Sequence, residues 1–167
     1  LFKNNIFSHN LVVKTIPSVY LKYNLKNYAC CQNISFINQI YSEKQMDELF
    51  EKYMYLIYLA KYDGFGLTLS KGINNKMFIF ACDQKPWNEM LNNYPRKCYI
   101  KSILKSNNNI YNSQKINLPD FYDLKIKLGG FTDYDKIITN TENECENFNI
   151  TKYNLFAESL YNFFKDK

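Results

Sequence analysis

The sequence predicts a protein of the α+β class, with mixed helices and strands, in which helices pack on a mostly antiparallel sheet. Its 167 residues are the length of a single domain. Hydrophobic residues make up 46% of the chain and aromatic residues 17%, which is enough to build a core and excludes a disordered chain. Short runs typical of strands also alternate with segments that have the period of an α-helix.

The N-terminal segment predicts two strands. Residues 11–16 form a β-branched run that suits a pleated sheet. Pro17 interrupts this run because proline lacks the amide hydrogen that a strand ladder uses, and an extended pattern is expected to resume over residues 18–23. A second strand is expected over residues 34–41, where apolar side chains again alternate with polar ones.

Ser42 marks the start of the first predicted helix. Its hydroxyl can accept a free amide of the first turn, and Gln45, three residues later, completes the pattern of a capping box. The apolar residues that follow recur at the spacing of one helical face: Met46, Leu49, Phe50, Tyr53, Met54 and Ile57. The predicted helix therefore runs past Tyr53 and ends at Asp63-Gly64.

The middle of the chain predicts a buried strand with shorter elements on either side. The compact apolar run at residues 77–82 is typical of a central strand that is covered on both faces. A short strand over residues 66–70 and a turn over residues 73–76 precede it. A helix capped by Asp83 and a further strand over residues 97–104 follow it.

An Asn-rich loop over residues 106–115 predicts the boundary between two similar halves of the single domain, residues 11–105 and 116–167. Each half contains a predicted strand with the order aliphatic, proline, any residue, apolar, tyrosine: Ile16-Pro17-Ser18-Val19-Tyr20 and Leu118-Pro119-Asp120-Phe121-Tyr122. The repetition indicates a duplicated unit with pseudo-two-fold symmetry. The alternative is a coincidence between two generic strand–helix units.

The rest of the second half predicts turns, a short strand and a final helix. Gly129-Gly130 and residues 133–135 indicate turns, and Ile137-Ile138 indicates a short strand. Thr151 is expected to cap the final helix, in which four apolar residues lie at helical spacing: Phe156, Leu160, Phe163 and Phe164.

The charged residues give little support to nucleic-acid binding. The net charge is +5, from 21 basic and 16 acidic residues, and it is expected to be spread along the chain. Arg96 is the only arginine, although arginine is the usual residue for bidentate recognition of phosphates and bases. Because no basic cluster is visible, no nucleic-acid partner is predicted.

No catalytic, metal or cofactor site is predicted. The only histidine is His9, in a polar segment, so neither a Ser-His-Asp arrangement nor a Cys/His zinc site is expected. The five cysteines include no Cys-x-x-Cys pair and are expected to be buried and reduced. Gly64-Phe65-Gly66 lacks the spacing of a phosphate-binding loop. A small enzyme that works without histidine stays open as an alternative.

The surplus of aromatic side chains is the feature that suggests a function. The chain has 15 Tyr and 13 Phe, more than a small core is expected to hold, so part of them should line exposed grooves that bind other proteins. Tyrosine suits such a groove because its ring packs while its hydroxyl stays in water. The predicted peptide-binding residues lie on the two proline-containing segments, on the second strand and on the two capped helices: Val19, Tyr20, Tyr23, Phe36, Met46, Phe50, Phe121, Tyr122 and Phe156.

The order of these motifs resembles a known family, the small (twenty-two-kilodalton) intermembrane-space subunit of the plastid inner-envelope Tic translocon. The resemblance rests on the two proline-containing segments and on two helix starts: Ile40-Tyr41-Ser42-Glu43-Lys44-Gln45-Met46 and Ile150-Thr151-Lys152-Tyr153-Asn154-Leu155. The middle of the chain matches this family only in its order of strands and helices.

The resemblance implies a non-enzymatic, chaperone-like component of protein import into a plastid, here an apicoplast. Its partners would be unfolded preproteins and other translocon subunits, and it would lie in the intermembrane space or at most peripherally on a membrane. Transit peptides are usually basic, so a chain of net charge +5 would repel them and capture would have to be hydrophobic. The alternative is a structural subunit of an organellar assembly, in a plastid or a mitochondrion.

Overall fold

The computed structural model describes residues 9–28, 33–60, 66–106 and 115–165, without the side chains of residues 104–106, 115–117, 131–132, 156 and 159–165. This described part contains seven α-helices and seven β-strands with both parallel and antiparallel pairing, which confirms the mixed α+β class.

The chain divides into two compact units, Leu1–Glu48 and Leu49–Lys167. This division differs from the predicted halves, residues 11–105 and 116–167. The predicted linker falls inside the second unit, and residues 107–114 of that linker lie outside the described part of the chain.

The first unit is built on a two-stranded parallel sheet. Strand β1 (Leu11–Lys14) pairs with strand β2 (Ile34–Ile37). Helix α1 (Pro17–Lys22) and a 3-10 helix (Leu25–Tyr28) lie between the two strands in the chain. Helix α2 (Glu43–Lys52) starts in this unit and continues past its end at Glu48.

The prediction of an extended segment over residues 18–23 is wrong, because α1 occupies most of it. Pro17 takes the first position of the helix. The amide hydrogen that proline lacks has no partner within a helix at that position, and the fixed φ of proline suits the helical backbone. Val19 and Tyr20 therefore lie on a helix and not on a strand.

The capping box that begins α2 is confirmed. The Ser42 amide donates to Gln45 Oε1 at 2.9 Å, and the Gln45 amide donates to Ser42 Oγ at 3.3 Å. The helix ends at Lys52, well before its predicted end. Strand β3 (Tyr55–Tyr58) follows instead, because its aromatic and aliphatic side chains suit a sheet and it finds a partner strand to pair with.

The second unit contains a three-stranded parallel sheet in the order β3-β4-β5. Strand β4 spans Phe78–Cys82 and strand β5 spans Lys97–Ile100. Helices α3 (Leu67–Asn74) and α4 (Trp87–Met90) form the crossovers that parallel strands require. Parallel pairing in both units shows that the prediction of a mostly antiparallel sheet is wrong.

The elements on either side of β4 differ from their predictions. Helix α3 replaces the short strand expected over residues 66–70, and Gly66 precedes it with a φ of 61°, a conformation that glycine adopts at little cost. Gly72 permits close approach to the sheet, since a Cβ there would lie 2.6 Å from Leu56 Cδ2. Pro86, and not Asp83, occupies the N-cap position of α4, with no hydrogen bond from its side chain.

Strand β4 is the centre of the core, as predicted, because all five of its residues are buried. Ile79 faces α3, whereas Phe78 and Phe80 face helix α6 (Phe131–Asn140). The Tyr134 ring of α6 lies 4.5 Å from the Phe78 ring and 5.3 Å from the Phe80 ring, measured between centroids. Helices thus cover both faces of the sheet, which explains the continuous apolar sequence of β4.

The remainder of the second unit is an antiparallel hairpin followed by helices. Strand β6 (Ser102–Ser106) pairs with strand β7 (Lys115–Pro119). Helix α5 (Phe121–Leu128) comes directly after β7, and helix α7 (Glu142–Lys165) is the last element described.

Several local predictions in this last part of the chain are wrong. Asp120 caps α5, so Phe121 and Tyr122 begin a helix and do not continue a strand. Residues 133–138 lie within α6 and not in a turn and a short strand. Thr151 lies inside α7, which begins at Glu142. Both proline-containing segments mark a change from strand to helix, whereas pseudo-two-fold symmetry stays a prediction.

Candidate functional site

The first unit presents an apolar stripe along one flank of α1. Ile16, Val19 and Tyr23 recur at i, i+3 and i+7, so they lie on one side of the helix. Each is exposed over 36% to 61% of its surface. We define these three residues as the α1 surface.

An aromatic contact holds the α1 surface in place. The Tyr20 ring packs edge-on against Phe36 of β2, with the ring centroids 5.5 Å apart. The Val19 and Tyr20 amides donate to the Ile16 carbonyl at 3.1 and 3.0 Å, which starts the helix soon after β1 ends. Tyr20 thus packs against the sheet, and the α1 surface beside it stays in solvent.

Little of the first unit is buried. None of the described residues between 9 and 48 is fully buried, although the strands and α1 are rich in apolar side chains. A unit of this size has too much surface for its volume to close a large core of its own. Apolar contact area in this unit is therefore available to another molecule.

The net positive charge of the chain comes mostly from residues before residue 43, which corrects the expectation that it is spread along the chain. Residues 1–42 contain four lysines and no acidic residue, so they account for +4 of the net charge of +5. Lys22 and Lys26 are exposed and follow Val19 and Tyr23 of the α1 surface by three residues each.

Helix α5 presents a second apolar surface, in the second unit. Phe121, Tyr122 and Ile126 are 59% to 73% exposed, and we define them as the α5 face. Tyr122 and Ile126 lie one turn apart on the helix, and Phe121 precedes Tyr122 at the first position of the helix. Lys125 is exposed on the same part of the helix.

Buried side chains of α5 anchor the helix. Leu124 and Leu128 are buried in the core of the second unit. Asp120 caps the helix by accepting hydrogen bonds from the amides of Tyr122 and Asp123, at 2.9 and 3.2 Å. The α5 face is therefore displayed on a helix that is fixed by burial on one side and by its cap at one end.

Asp123 ties α5 to the chain segment that precedes β6. Its carboxylate accepts a hydrogen bond from the Lys101 amide at 2.8 Å and pairs with the Lys127 ammonium at 3.0 Å. Burial alone would raise the pKa of Asp123, but these two hydrogen bonds and the lysine charge outweigh it and lower the pKa. Asp123 therefore stays ionised at neutral pH.

Most of the predicted peptide-binding residues fall on or beside these two surfaces. Four of them lie in the first unit. Val19 and Tyr23 are exposed there, and Tyr20 and Phe36 contact each other. Two others, Phe121 and Tyr122, adjoin on α5.

The remaining three predicted residues do not join a described exposed surface. Met46 is half-buried on α2. Phe50 is only 7% exposed, so its assignment to an exposed groove is wrong, because it points into the core. The side chain of Phe156 lies outside the described residues.

Two residues of the surfaces are missing from the sequence prediction. Ile16 precedes Val19 by three residues, and Ile126 follows Tyr122 by four. This spacing indicates a shared face only in a helix, whereas Ile16 and Tyr122 are expected on strands and no element is predicted at Ile126. The signal that identifies them is helical periodicity, which becomes visible once the helices are known.

The described residues offer apolar contact and little reactive chemistry. Among them, no group of three or more His, Cys, Asp or Glu side chains is placed to hold a metal ion. Cys82 and Cys145 are buried and Cys98 is half-buried, and all three are free thiols. Burial raises the pKa of each of these thiols, which keeps them protonated and poorly nucleophilic.

Comparisons with known proteins do not identify the chain. No protein-family model, no curated protein and no solved structure matches it. The resemblance to the Tic family therefore stays a prediction. In the described part of the chain, no helix is both long and apolar enough to cross a membrane.

Proposed function

We propose that the protein is a non-enzymatic, chaperone-like factor that holds unfolded preproteins through exposed apolar side chains. The observation that carries this proposal is the presence of two exposed apolar surfaces, the α1 surface and the α5 face, on helices that other side chains anchor: Tyr20 on α1, and Leu124 and Leu128 on α5. Large contiguous patches of exposed apolar residues are rare on monomeric proteins, and they often mark sites that bind other proteins.

The composition of the two surfaces suits capture of unfolded chains. Tyrosine and phenylalanine provide large contact areas at a low cost in side-chain entropy, and the tyrosine hydroxyl stays hydrated when no client is bound. Binding through apolar area does not depend on one client sequence, which is what a factor that holds many different preproteins requires.

The cellular setting is also part of the proposal. The resemblance described above supports a role in protein import into a plastid, with translocon subunits as further partners. It favours the intermembrane space or the periphery of a membrane, and a mitochondrial setting is the alternative.

Suppression of aggregation tests the proposed activity. Added at several-fold molar excess, the protein should reduce the light scattering of a model protein that is diluted out of denaturant, without nucleotide. The variant Phe121→Gln/Tyr122→Gln/Ile126→Gln should lose part of this effect, because glutamine removes the apolar area of the α5 face and keeps the helix, whereas the α1 surface is unchanged.

A matched control makes this experiment specific. Leu67 of α3 is also an exposed apolar residue but lies outside both surfaces, so Leu67→Gln should suppress aggregation as well as the wild type does. If the wild type leaves the light scattering unchanged, the chaperone-like function is refuted.

A second candidate function is a structural subunit of an organellar assembly. The observation that favours it is the first unit, in which no described residue between 9 and 48 is fully buried. A permanent partner would then cover these apolar side chains. Obligate co-purification with a partner favours the structural subunit, whereas a stable soluble monomer favours the chaperone-like factor.

A further inference from the structure

The α1 surface combines exposed apolar side chains with neighbouring charges that are all positive. We propose that this surface binds polypeptide segments that are both apolar and acidic, and that it discriminates against basic segments. The proposal rests on the proposed function, which it deepens by naming the chemical class of the client.

The charge distribution is the first support. Residues 1–42 carry four lysines and no acidic residue, and the acidic residues of the first unit are all on α2, beginning at Glu43. A bound carboxylate would therefore meet no like charge within residues 1–42. A basic segment would meet like charges, and such juxtaposition disfavours the wrong partner.

The positions of two lysines are the second support. Lys22 follows Val19 by three residues and Lys26 follows Tyr23 by three, and both lysines are exposed. The Lys22 ammonium lies 5.5 Å from the centroid of the Tyr23 ring, so positive charge borders the α1 surface directly. Lys14 does not border the α1 surface in this way, because its ammonium donates hydrogen bonds to the carbonyls of Thr15 and Gln39.

The arrangement of the apolar side chains favours a polypeptide over an anionic membrane. Leu21 is 76% exposed but lies two positions from both Val19 and Tyr23, which is about 160° around the helix axis. A helix that lies on a lipid surface needs its apolar residues on one face. A flexible chain can instead follow side chains that point in different directions.

Three peptides of one design test this proposal. They share an apolar core and carry flanking residues that are all Asp, all Asn or all Lys, and their binding to the full chain is measured by fluorescence anisotropy. The acidic peptide should bind about two- to thirtyfold more tightly than the Asn peptide at low salt, from two exposed ion pairs. This preference should disappear at about 1 M salt, where the screening length is about 3 Å.

Charge-reversal variants locate the effect. In Lys22→Glu/Lys26→Glu the preference should reverse, so that the Lys peptide binds more tightly than the Asp peptide. Lys85→Glu/Lys136→Glu changes the net charge equally at exposed positions of the second unit and should retain the preference for the Asp peptide.

The outcomes separate this proposal from the proposed function. Equal binding of all three peptides overturns the acidic preference and leaves apolar capture standing. Failure of every peptide to bind, including the Asn peptide, overturns both. If vesicles of anionic phospholipid bind the chain and displace the Asp peptide, the surface recognises lipid and the proposal is wrong.

Discussion

Arg96 provides the sharpest test of how the second unit is held together. Its guanidinium is buried and donates to four acceptors: the Lys76 carbonyl at 2.6 Å, the Ile138 carbonyl at 2.5 Å, Thr141 Oγ1 at 3.0 Å and Glu142 Oε2 at 2.6 Å. These bonds join the turn before β4 to the end of α6 and the start of α7. The fork of five N–H donors is specific to arginine, so no other residue can replace all four bonds.

The substitution Arg96→Met should lower the free energy of unfolding by about 2–6 kcal/mol. The figure follows from two main-chain acceptors, the Lys76 and Ile138 carbonyls, which lose a charged donor at about 1–3 kcal/mol each. The other two acceptors add little, because Thr141 also bonds the Ile137 carbonyl and Glu142 is half-exposed and pairs with Lys76.

Urea unfolding followed by tryptophan fluorescence measures this loss. Trp87 is the only tryptophan and is buried in the second unit, so its emission reports the unfolding of that unit. Arg96→Lys should be intermediate, because one ammonium can satisfy only part of the network. Lys85→Met, which removes an exposed pair with Glu89, is the control and should leave the free energy of unfolding nearly unchanged. A loss for Arg96→Met no larger than that of this control would refute the reasoning.

Three further predictions concern stability. Hydrogen bonds from Lys76 and Arg96 lower the pKa of Glu142 in the folded protein. The contribution of Glu142 to the free energy of unfolding is therefore complete above the ordinary carboxyl pKa, and it is lost as pH falls through the folded pKa. The difference in melting temperature between wild type and Glu142→Gln should therefore shrink on acidification, and a constant difference would contradict this. Phe80→Ala should cost about 3–5 kcal/mol in urea unfolding, and a loss below about 1 kcal/mol would contradict its place in the core. Ser42→Ala should cost about 1 kcal/mol through loss of the capping box, and Ser42→Thr should retain most of it.

Elements whose signal is local could be predicted from the sequence. Strand β4 is a short apolar run between turns, and its pattern alone indicates a strand that is covered on both faces. The start of α2 is equally local, because the Ser42 and Gln45 bonds lie within one turn.

Elements that depend on context were predicted wrongly for identifiable reasons. Proline ends a strand and also begins a helix, so Pro17 alone does not decide which follows. Residues 55–58 continue the helical period of α2, yet pairing with β4 makes them a strand, since long-range packing outweighs local periodicity. Thr151 resembles a cap but lies inside a helix that begins at Glu142.

The sequence predicts which kinds of residue form the candidate site, but it does not predict which of these residues are exposed. Val19, Tyr23, Phe121 and Tyr122 are exposed, whereas Phe50 has similar chemistry and is buried. Burial of a single aromatic residue is decided by the elements that pack around it, and those contacts join distant parts of the chain. The absence of acidic residues before residue 43 is visible in the sequence without a structure, although the charge is expected above to be spread along the chain.

Photo-crosslinking tests most directly whether the exposed apolar surfaces bind other polypeptides. A photoreactive phenylalanine analogue is placed singly at Tyr23, Tyr122 or Leu67, and the protein is irradiated with an unfolded model protein. Crosslinks at the first two positions and few at Leu67, which is comparably exposed, are the expected result. Equal crosslinking at all three positions, or none at any of them, would contradict the account.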